Sequence, residues 1–287
     1  MYYKEDFCNH KRNLLDYLCR LKRDSDIAIF TGIKEAYEQY RQDFDNVKDF
    51  SDESISQMVK ALNDYRKKSV PYFDKLDNSG QKALGYTIME EFFYLFFQKY
   101  VSSLGIQNDN LFLGKGNSYV SLSFTPKSFA GVLENVNPYI HSKDQDFVLG
   151  ISVDINVKSG NTETIKNTIL PVVAIECKTY LEKNMLDSCA NTATRLKNAM
   201  PYCIYMIASE YMKMDAASPE LTDIDEVYIL CKAKNSERLK RNQQGLPPLD
   251  IDAELIMDIY HRVKRHLNSV WWNPQDAIVN GKVICRP

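Results

Sequence analysis

The spacing of apolar residues predicts helices in the first quarter of the chain. Four leucines stand at helical spacing near its start, namely Leu14, Leu15, Leu18 and Leu21. Similar patterns cover residues 33–50 and 53–68. Either Ser51 or Asp52 suits the N-cap of the latter helix, because its side-chain oxygen can accept from a free N–H of the first turn. We therefore predict a helical N-terminal subdomain over residues 1–78.

The rest of the chain, residues 79–287, has the pattern of an α/β domain. Residues 80–103 are apolar on most faces, which is typical of a helix that lies across a sheet. Short β-like runs begin at Leu111 and are followed by a loop that contains Pro126 and Pro138. This change of period marks the start of the predicted sheet.

Two long β-rich runs are the clearest strands. Residues 146–158 and 164–180 flank the turn signal Ser159-Gly160-Asn161-Thr162, so they predict an antiparallel hairpin. The pattern then predicts a helix, two strands and a last helix, at residues 181–200, 201–209, 226–234 and 253–268. A tail with Trp271 and Trp272 follows. We predict an α/β fold in which a mixed sheet is flanked by helices.

The composition limits the classes of protein that fit. Of the 287 residues, 44% are hydrophobic and 26% charged, which is typical of a folded soluble domain. The seven cysteines contain no Cys-x-x-Cys pair, so they predict neither a disulfide framework nor a zinc site, and they indicate a reducing cytoplasm. No signal peptide or membrane-spanning stretch is found, so we expect no membrane contact.

A net charge of -2 argues against a DNA-binding protein without excluding one, because phosphate contacts depend on local lysines and arginines. One basic cluster is present, consisting of Lys232, Lys234, Arg238, Lys240 and Arg241. Residues 236–250, which contain three members of this cluster, are predicted to form an exposed basic loop. That loop is either a solvated surface or a contact to the DNA backbone.

The strongest chemical signal is Glu176-Cys177-Lys178, at the end of the apolar run LPVVAI. Alternation along a strand places the acid and the lysine on one face. If the hairpin turns at Gly160-Asn161, Asp146 lies opposite Glu176 on that face. A slip of two residues would substitute Asp144, and Asp154 is the third candidate.

Two carboxylates beside a lysine are suited to metal-assisted phosphodiester cleavage. Asp146, Glu176 and the main-chain carbonyl of Cys177 offer the hard oxygen ligands that Mg²⁺ prefers. Lys178 is expected to orient the attacking water or to neutralise the charged phosphate. A further carboxylate is expected from Glu90 or Glu91, unless these are an exposed edge of their helix. The alternative for the pair Glu176 and Lys178 is a surface ion pair.

Two other signals predict no site. His141, His261 and His266 lack the spacing of a metal site and are expected to be ordinary core or surface residues. Gly114 and Gly116 lack the rest of a nucleotide-binding motif and are expected to form a turn.

Several segments resemble a known family. These are SFAGVLENVNPYIHSKDQDFVLG and PVVAIECKTYLEKNMLDSCANTA, with GYTIMEEFFYLFF upstream. They are similar to subunits of heterodimeric type IIT restriction endonucleases of the BbvCI kind, over residues 80–235. The resemblance implies a PD-(D/E)xK core, double-stranded DNA as substrate, a bacterial cytoplasmic location and a sister subunit, each subunit cutting one strand of an asymmetric CCTNAGC-like site. Gln145 replaces the proline of the family motif, which leaves Asp144 and Asp146 as alternatives.

Two other functions are compatible with the same sequence features. One is a subunit that binds DNA or a partner without catalysis. The other is a nuclease with a different biological role, such as a resolvase, a repair nickase or a toxin.

Overall fold

A five-stranded mixed sheet forms the centre of the computed structural model, which describes residues 7–76, 79–106, 108–134, 136–159, 162–269 and 274–281. Within these ranges the strands are β1 (Leu111–Phe124), β2 (Pro138–Ser159), β3 (Thr162–Leu181), β4 (Ile204–Met212) and β5 (Glu226–Ile229). The helices are α1 (Asn9–Arg20), α2 (Asp24–Asn46), α3 (Asp52–Phe73), α4 (Ser79–Ser103), α5 (Phe129–Glu134), α6 (Lys183–Ala199), α7 (Asn235–Gln243), α8 (Ala253–Leu267) and α9 (Pro274–Asn280).

The strands lie in the sheet in the order in which they occur along the chain. β1, β2 and β3 form an antiparallel meander, and β4 and β5 then add in parallel to β3, with α6 as the crossover between β3 and β4. The predicted fold class is confirmed. Several strands differ from the prediction: the short runs after Leu111 join into the single strand β1, β2 begins at Pro138 and not at Asp146, and the last predicted strand is reduced to the four residues of β5.

Helices cover both faces of the sheet. On one face α4 is buried almost all round, because its aromatic side chains fill the space between the sheet and the N-terminal helices. Phe97 of this helix stacks on Phe147 of β2 with 5.3 Å between ring centroids. On the other face, Leu186 and Leu196 of α6 pack with Tyr205 of β4. The central strands are therefore buried on both sides.

Buried polar contacts attach the N-terminal helices to the rest of the chain. α3 starts at the predicted cap, where the Ser51 hydroxyl accepts from the Ser54 N–H at 3.3 Å. Further along this helix, Arg66 donates to the Glu210 carboxylate on β4 and to the carbonyl of Leu249. Asn63 exchanges hydrogen bonds with the main chain of Ile251. These contacts fix α3 against the end of β4 and the segment before α8.

The hairpin of β2 and β3 contains one irregularity that changes its register. Gly150 pairs with Pro171, but the next pair is Leu149 with Val173, so Val172 is an extra residue in β3. Proline cannot donate to a sheet ladder and is found at edges and bulges. A Cβ atom on Gly150 would lie 2.2 Å from the Leu170 carbonyl oxygen, so the close approach of the two strands requires glycine.

One predicted segment has a different structure. Residues 236–250 were expected to form a loop, whereas α7 covers Asn235–Gln243 and only the remainder is irregular. Leu239 on this helix is exposed, and the helix has too few apolar residues to produce a clear periodic pattern. The predicted turn centre at Gly160-Asn161 and the two tryptophans of the tail lie outside the described residues. In the part of the chain that the structure describes, no helix is long and apolar enough to cross a membrane.

Candidate active site

The structure brings Asp146, Glu176 and Lys178 together on one face of the sheet. The Lys178 ammonium nitrogen lies 2.6 Å from Glu176 Oε1 and 3.7 Å from Asp146 Oδ2. The main-chain N–H of Cys177 donates to the same Asp146 oxygen at 3.0 Å. Two carboxylates from neighbouring strands therefore meet around a single ammonium group.

The other two candidate aspartates lie elsewhere on β2. Asp144 pairs with Asn117 of β1 and is exposed. Asp154 accepts from the Asn167 side chain at 3.0 Å, eight residues further along the strand. The geometry therefore selects Asp146 as the acid next to Glu176.

The extra residue Val172 determines which residue of β3 lies opposite Asp146. Between the turn and Gly150 the ladder has a constant register, and its continuation would place Asp146 opposite Ile175. Ile175 is fully buried in the core. Because of the bulge, Phe147 takes that position instead, and Asp146 shares the face of Glu176. The bulge is therefore part of the construction of the site.

Glu90 joins the site from α4, and Lys115 joins it from β1. The Lys115 ammonium nitrogen lies 3.2 and 3.1 Å from the two carboxylate oxygens of Glu90 and 3.5 Å from Asp146 Oδ1. Glu90 is buried, so the alternative that it lies on an exposed edge of its helix is wrong. Glu91 is also buried but faces the helical layer, where it accepts from the Tyr37 hydroxyl and the Lys11 N–H.

Lys115 is the site residue that sequence reasoning missed. It lies inside β1 at a shift in register, where the single residue Lys115 is opposite both Asp146 and Phe147 of β2. The flanking Gly114 has a φ of 124°, which favours glycine. The expectation that Gly114 and Gly116 form a turn was therefore wrong. The available signal was a pair of glycines inside a strand pattern, which indicates a bulge.

Burial and crowded charges shift the pKa values of these groups. Burial raises the pKa of Glu90 to about 7, and the charge of Asp146 adds to the rise while Lys115 opposes it. Burial and then Asp146 also raise the pKa of Glu176. For Lys178, burial alone lowers the pKa, but the charges of Glu176 and Asp146 outweigh burial and raise it. The site thus holds more negative charge than its lysines neutralise.

The donor set of this site suits Mg²⁺. Within the described residues, no group of three or more His, Cys, Asp or Glu side chains has the spacing of a metal site. The predicted set needs only the carboxylates of Asp146 and Glu176 and one main-chain carbonyl. All of these donors are hard oxygens, and both carboxylates already contact one cationic nitrogen, that of Lys178. The residues present therefore fit the ion.

Most of the predicted DNA-contacting cations have partners within the chain. Lys232 pairs with Asp252, Lys234 with Asp215 and Arg238 with Asp74. Arg241 donates to the Pro247 carbonyl at 2.9 Å, and Lys240 is exposed on α7. The cluster is therefore a partly neutralised surface around α7.

A second cationic surface lies closer to the site. A small groove between β2 and α6 is lined by Lys143, Ser188, Asn191, Thr192 and Arg195. The charge of Lys143 acts on the Glu176 carboxylate, whose pKa it lowers. This groove therefore adjoins the carboxylate end of the site.

The sheet, its helices and the cluster of acids and lysines define the class of restriction-endonuclease-like α/β enzymes. The Bpu10I restriction endonuclease family matches residues 81–245, which is more than half of the chain and includes all five residues of the site. The chain belongs to this family and is a type II site-specific endonuclease.

A solved structure supports the same fold. The structure described as the native BbvCI A2B2 tetramer at low resolution is similar, with a TM-score of 0.68 and 24% sequence identity. The match covers 94% of this chain and 100% of that chain. No curated protein sequence matches the chain significantly.

Proposed function

We propose that the chain is one subunit of a type II restriction enzyme and that it hydrolyses one strand of double-stranded DNA at an asymmetric, CCTNAGC-like site in a Mg²⁺-dependent reaction. The observation that carries this proposal is the meeting of Asp146 and Glu176 at the Lys178 ammonium group. Family membership supports DNA as the substrate.

The proposed roles follow from the geometry of the site. Asp146, Glu176 and the Cys177 carbonyl would hold Mg²⁺, which supplies an activated water and stabilises charge on the phosphate when bound. The charges of Glu176 and Asp146 outweigh burial and raise the pKa of Lys178 in this site. Its ammonium group would orient the attacking water or neutralise the charged phosphate.

Contacts to the DNA backbone are proposed for both cationic surfaces. Lys143 and Arg195 line the groove beside the site, so they are placed to contact a phosphate next to the cleaved bond. α7, which carries Lys240, begins beyond the C-terminal ends of β4 and β5. Lys178 lies near the same end of the neighbouring strand β3. Local positive charge at these positions offsets the slightly negative total.

A sister subunit is part of the proposal. One site of this kind cuts one strand, so a double-strand break requires a second site that faces the same duplex. The BbvCI structure is described as an A2B2 tetramer, which supports an assembly with two kinds of subunit. In this proposal the enzyme works in the bacterial cytoplasm.

The direct test is incubation of supercoiled plasmid with the chain and Mg²⁺, alone and with its sister subunit. The proposal expects no cleavage after chelation, and a linear product only when both subunits are active. The Lys178→Ala variant should still bind DNA but should turn the paired reaction into nicking of one strand. Linear product from the pair with Lys178→Ala would show that this site is not catalytic.

The position of the cut separates a restriction enzyme from a repair nuclease or resolvase. Sequencing of the cleaved ends should show one fixed sequence in a plasmid with several candidate sites. Cleavage at junctions or mismatches without sequence preference would favour the second class of nuclease. Family membership favours the first.

A further inference from the structure

Lys115 is a second ammonium group in the candidate site that the proposed reaction does not use. Its nitrogen contacts both oxygens of Glu90 at 3.1 and 3.2 Å and Asp146 Oδ1 at 3.5 Å. It thus touches the Asp146 oxygen that Lys178 leaves free, because Lys178 lies nearest to Oδ2. The two lysines together occupy both oxygens of this carboxylate.

The main chain is shaped to deliver this one side chain. Lys115 lies at the register shift between β1 and β2, with a glycine on each side. A Cβ atom at Gly114 would lie 2.8 Å from the Phe7 ring, and one at Gly116 would lie 2.6 Å from the Ile169 side chain. A larger residue at either position would therefore require these neighbouring side chains to move, and at Gly114, with a φ of 124°, it would also strain the main chain.

We propose that Lys115 is an internal counter-ion of the active site, which holds Glu90 and Asp146 in place and competes with a divalent cation for their carboxylate oxygens. This inference rests on the proposed function. Lys115 is a positioning residue in this account, since it acts through Asp146.

The charges around Lys115 predict the direction of its effect on cation binding. Asp146, Glu176 and, when it is ionised, Glu90 face the two positive charges of Lys115 and Lys178. Removal of one positive charge a few ångströms from a cation site increases the attraction for Mg²⁺ or Mn²⁺. A neutral side chain at position 115 should therefore tighten cation binding, whereas general damage to the fold would weaken it.

The test is a calorimetric titration of the full chain with Mn²⁺ in the absence of DNA. Lys115→Met removes the charge and keeps the length of the side chain, and we expect Mn²⁺ to bind it about tenfold more tightly than the wild type. Lys115→Arg keeps the charge and should bind like the wild type. Lys158→Met is the matched control, because Lys158 is exposed on β2 about 40 Å along the strand from Asp146.

A second variant locates the tightening. With Asp146→Asn added to Lys115→Met, the gain in affinity should disappear. The inference is overturned if Lys115→Met binds Mn²⁺ no more tightly than the wild type, or if the gain survives Asp146→Asn. Plasmid cleavage by the wild-type pair is read separately, so a failure of the proposed function is distinguishable from a failure of this inference.

Discussion

Two groups of buried charge in this molecule have different compositions. Arg66 and Glu210 pair between α3 and β4, with only 1% and 8% of their side chains exposed. Around Asp146, three carboxylates share two lysines, and the side chains of Lys178 and Lys115 are 25% and 43% exposed. The first group is matched and closed, and the second is unbalanced and open. Each charge of a matched, closed pair compensates its buried partner, whereas an unbalanced, accessible group is suited to binding a cation and a phosphate.

The sharpest way to test this contrast is to neutralise one acid of the open group. Glu176→Gln should lower plasmid cleavage about a thousandfold, because a proposed metal ligand is lost. The free energy of unfolding should change little, because the lost ion pair with Lys178 is offset by the relieved repulsion with Asp146. Cleavage rate and guanidinium unfolding are the two measurements. Glu163→Gln at the other end of β3 is the control and should keep wild-type cleavage.

The closed group should respond in the opposite way. Arg66→Met leaves Glu210 buried without its cation, which should lower the free energy of unfolding by about 3 to 5 kcal/mol in guanidinium titrations. The double variant Arg66→Met, Glu210→Met should recover much of that loss, because no charge then stays buried. A single variant as stable as the wild type would refute the distinction between the two groups.

The frame of the open group can be tested through Gly150. Gly150→Ala should lower the free energy of unfolding by about 3 kcal/mol, because the added methyl group meets a main-chain carbonyl at the bulge. At a temperature at which the variant is still folded, its cleavage rate should be lower than that of the wild type, because the bulge aligns Asp146 with Glu176. Gly32→Ala is the matched control in α2, where nothing lies near the new methyl group, and it should raise stability by about 0.5 to 1 kcal/mol. Equal behaviour of the two variants would contradict the role of the bulge.

His10 provides a pH dependence of stability that originates in the helical layer. Burial lowers the pKa of His10 to about 3. Between pH 6.5 and 3 the unfolded chain therefore binds a proton that the folded chain does not, so His10 makes stability fall as the pH falls. The slope should be about 1.4 kcal/mol per pH unit.

The comparison uses His10→Gln, which does not titrate. Unfolding measured from pH 7 to pH 4 should show a shallower decline in this variant than in the wild type. The neighbouring Glu91 has a pKa raised by burial and gives the opposite slope, but it is present in both proteins and cancels in their difference. Parallel stability curves would show that His10 is not held neutral.

The sequence predicted those features that depend on local periodicity. The helical spacing of the leucines and the cap at Ser51 led to α1 and α3. The two β-rich runs led to the hairpin. The helices, the cap and the hairpin require only the geometry of a single element or of two adjacent strands. The meeting of Asp146 and Glu176 was predicted from an unbroken ladder, but it depends on the bulge at Val172, because the register near the tip would place Asp146 opposite Ile175.

Features that depend on tertiary contacts were not predicted. The bulge at Val172 separates two ladders of different register, and the register of the ladder nearer the site was not predictable from the turn. Lys115 comes from a strand that is distant in sequence, and its role depends on a helix above the sheet. The opposite directions of Glu90 and Glu91 depend on what packs on each side of α4. A single sequence contains no direct signal for such contacts.

The bulge in β3 also divides the hairpin into two parts that can change length by different rules. Beyond Gly150, one residue can be removed from each strand towards the tip, and every remaining pair keeps its partner. At the base, a deletion of one β2 residue between Asp146 and Gly150 would move Asp146 from Glu176 to the position opposite Ile175, in the apolar interior. The tip of this hairpin therefore tolerates shortening or grafting, whereas β2 at its base tolerates neither the loss nor the gain of a single residue.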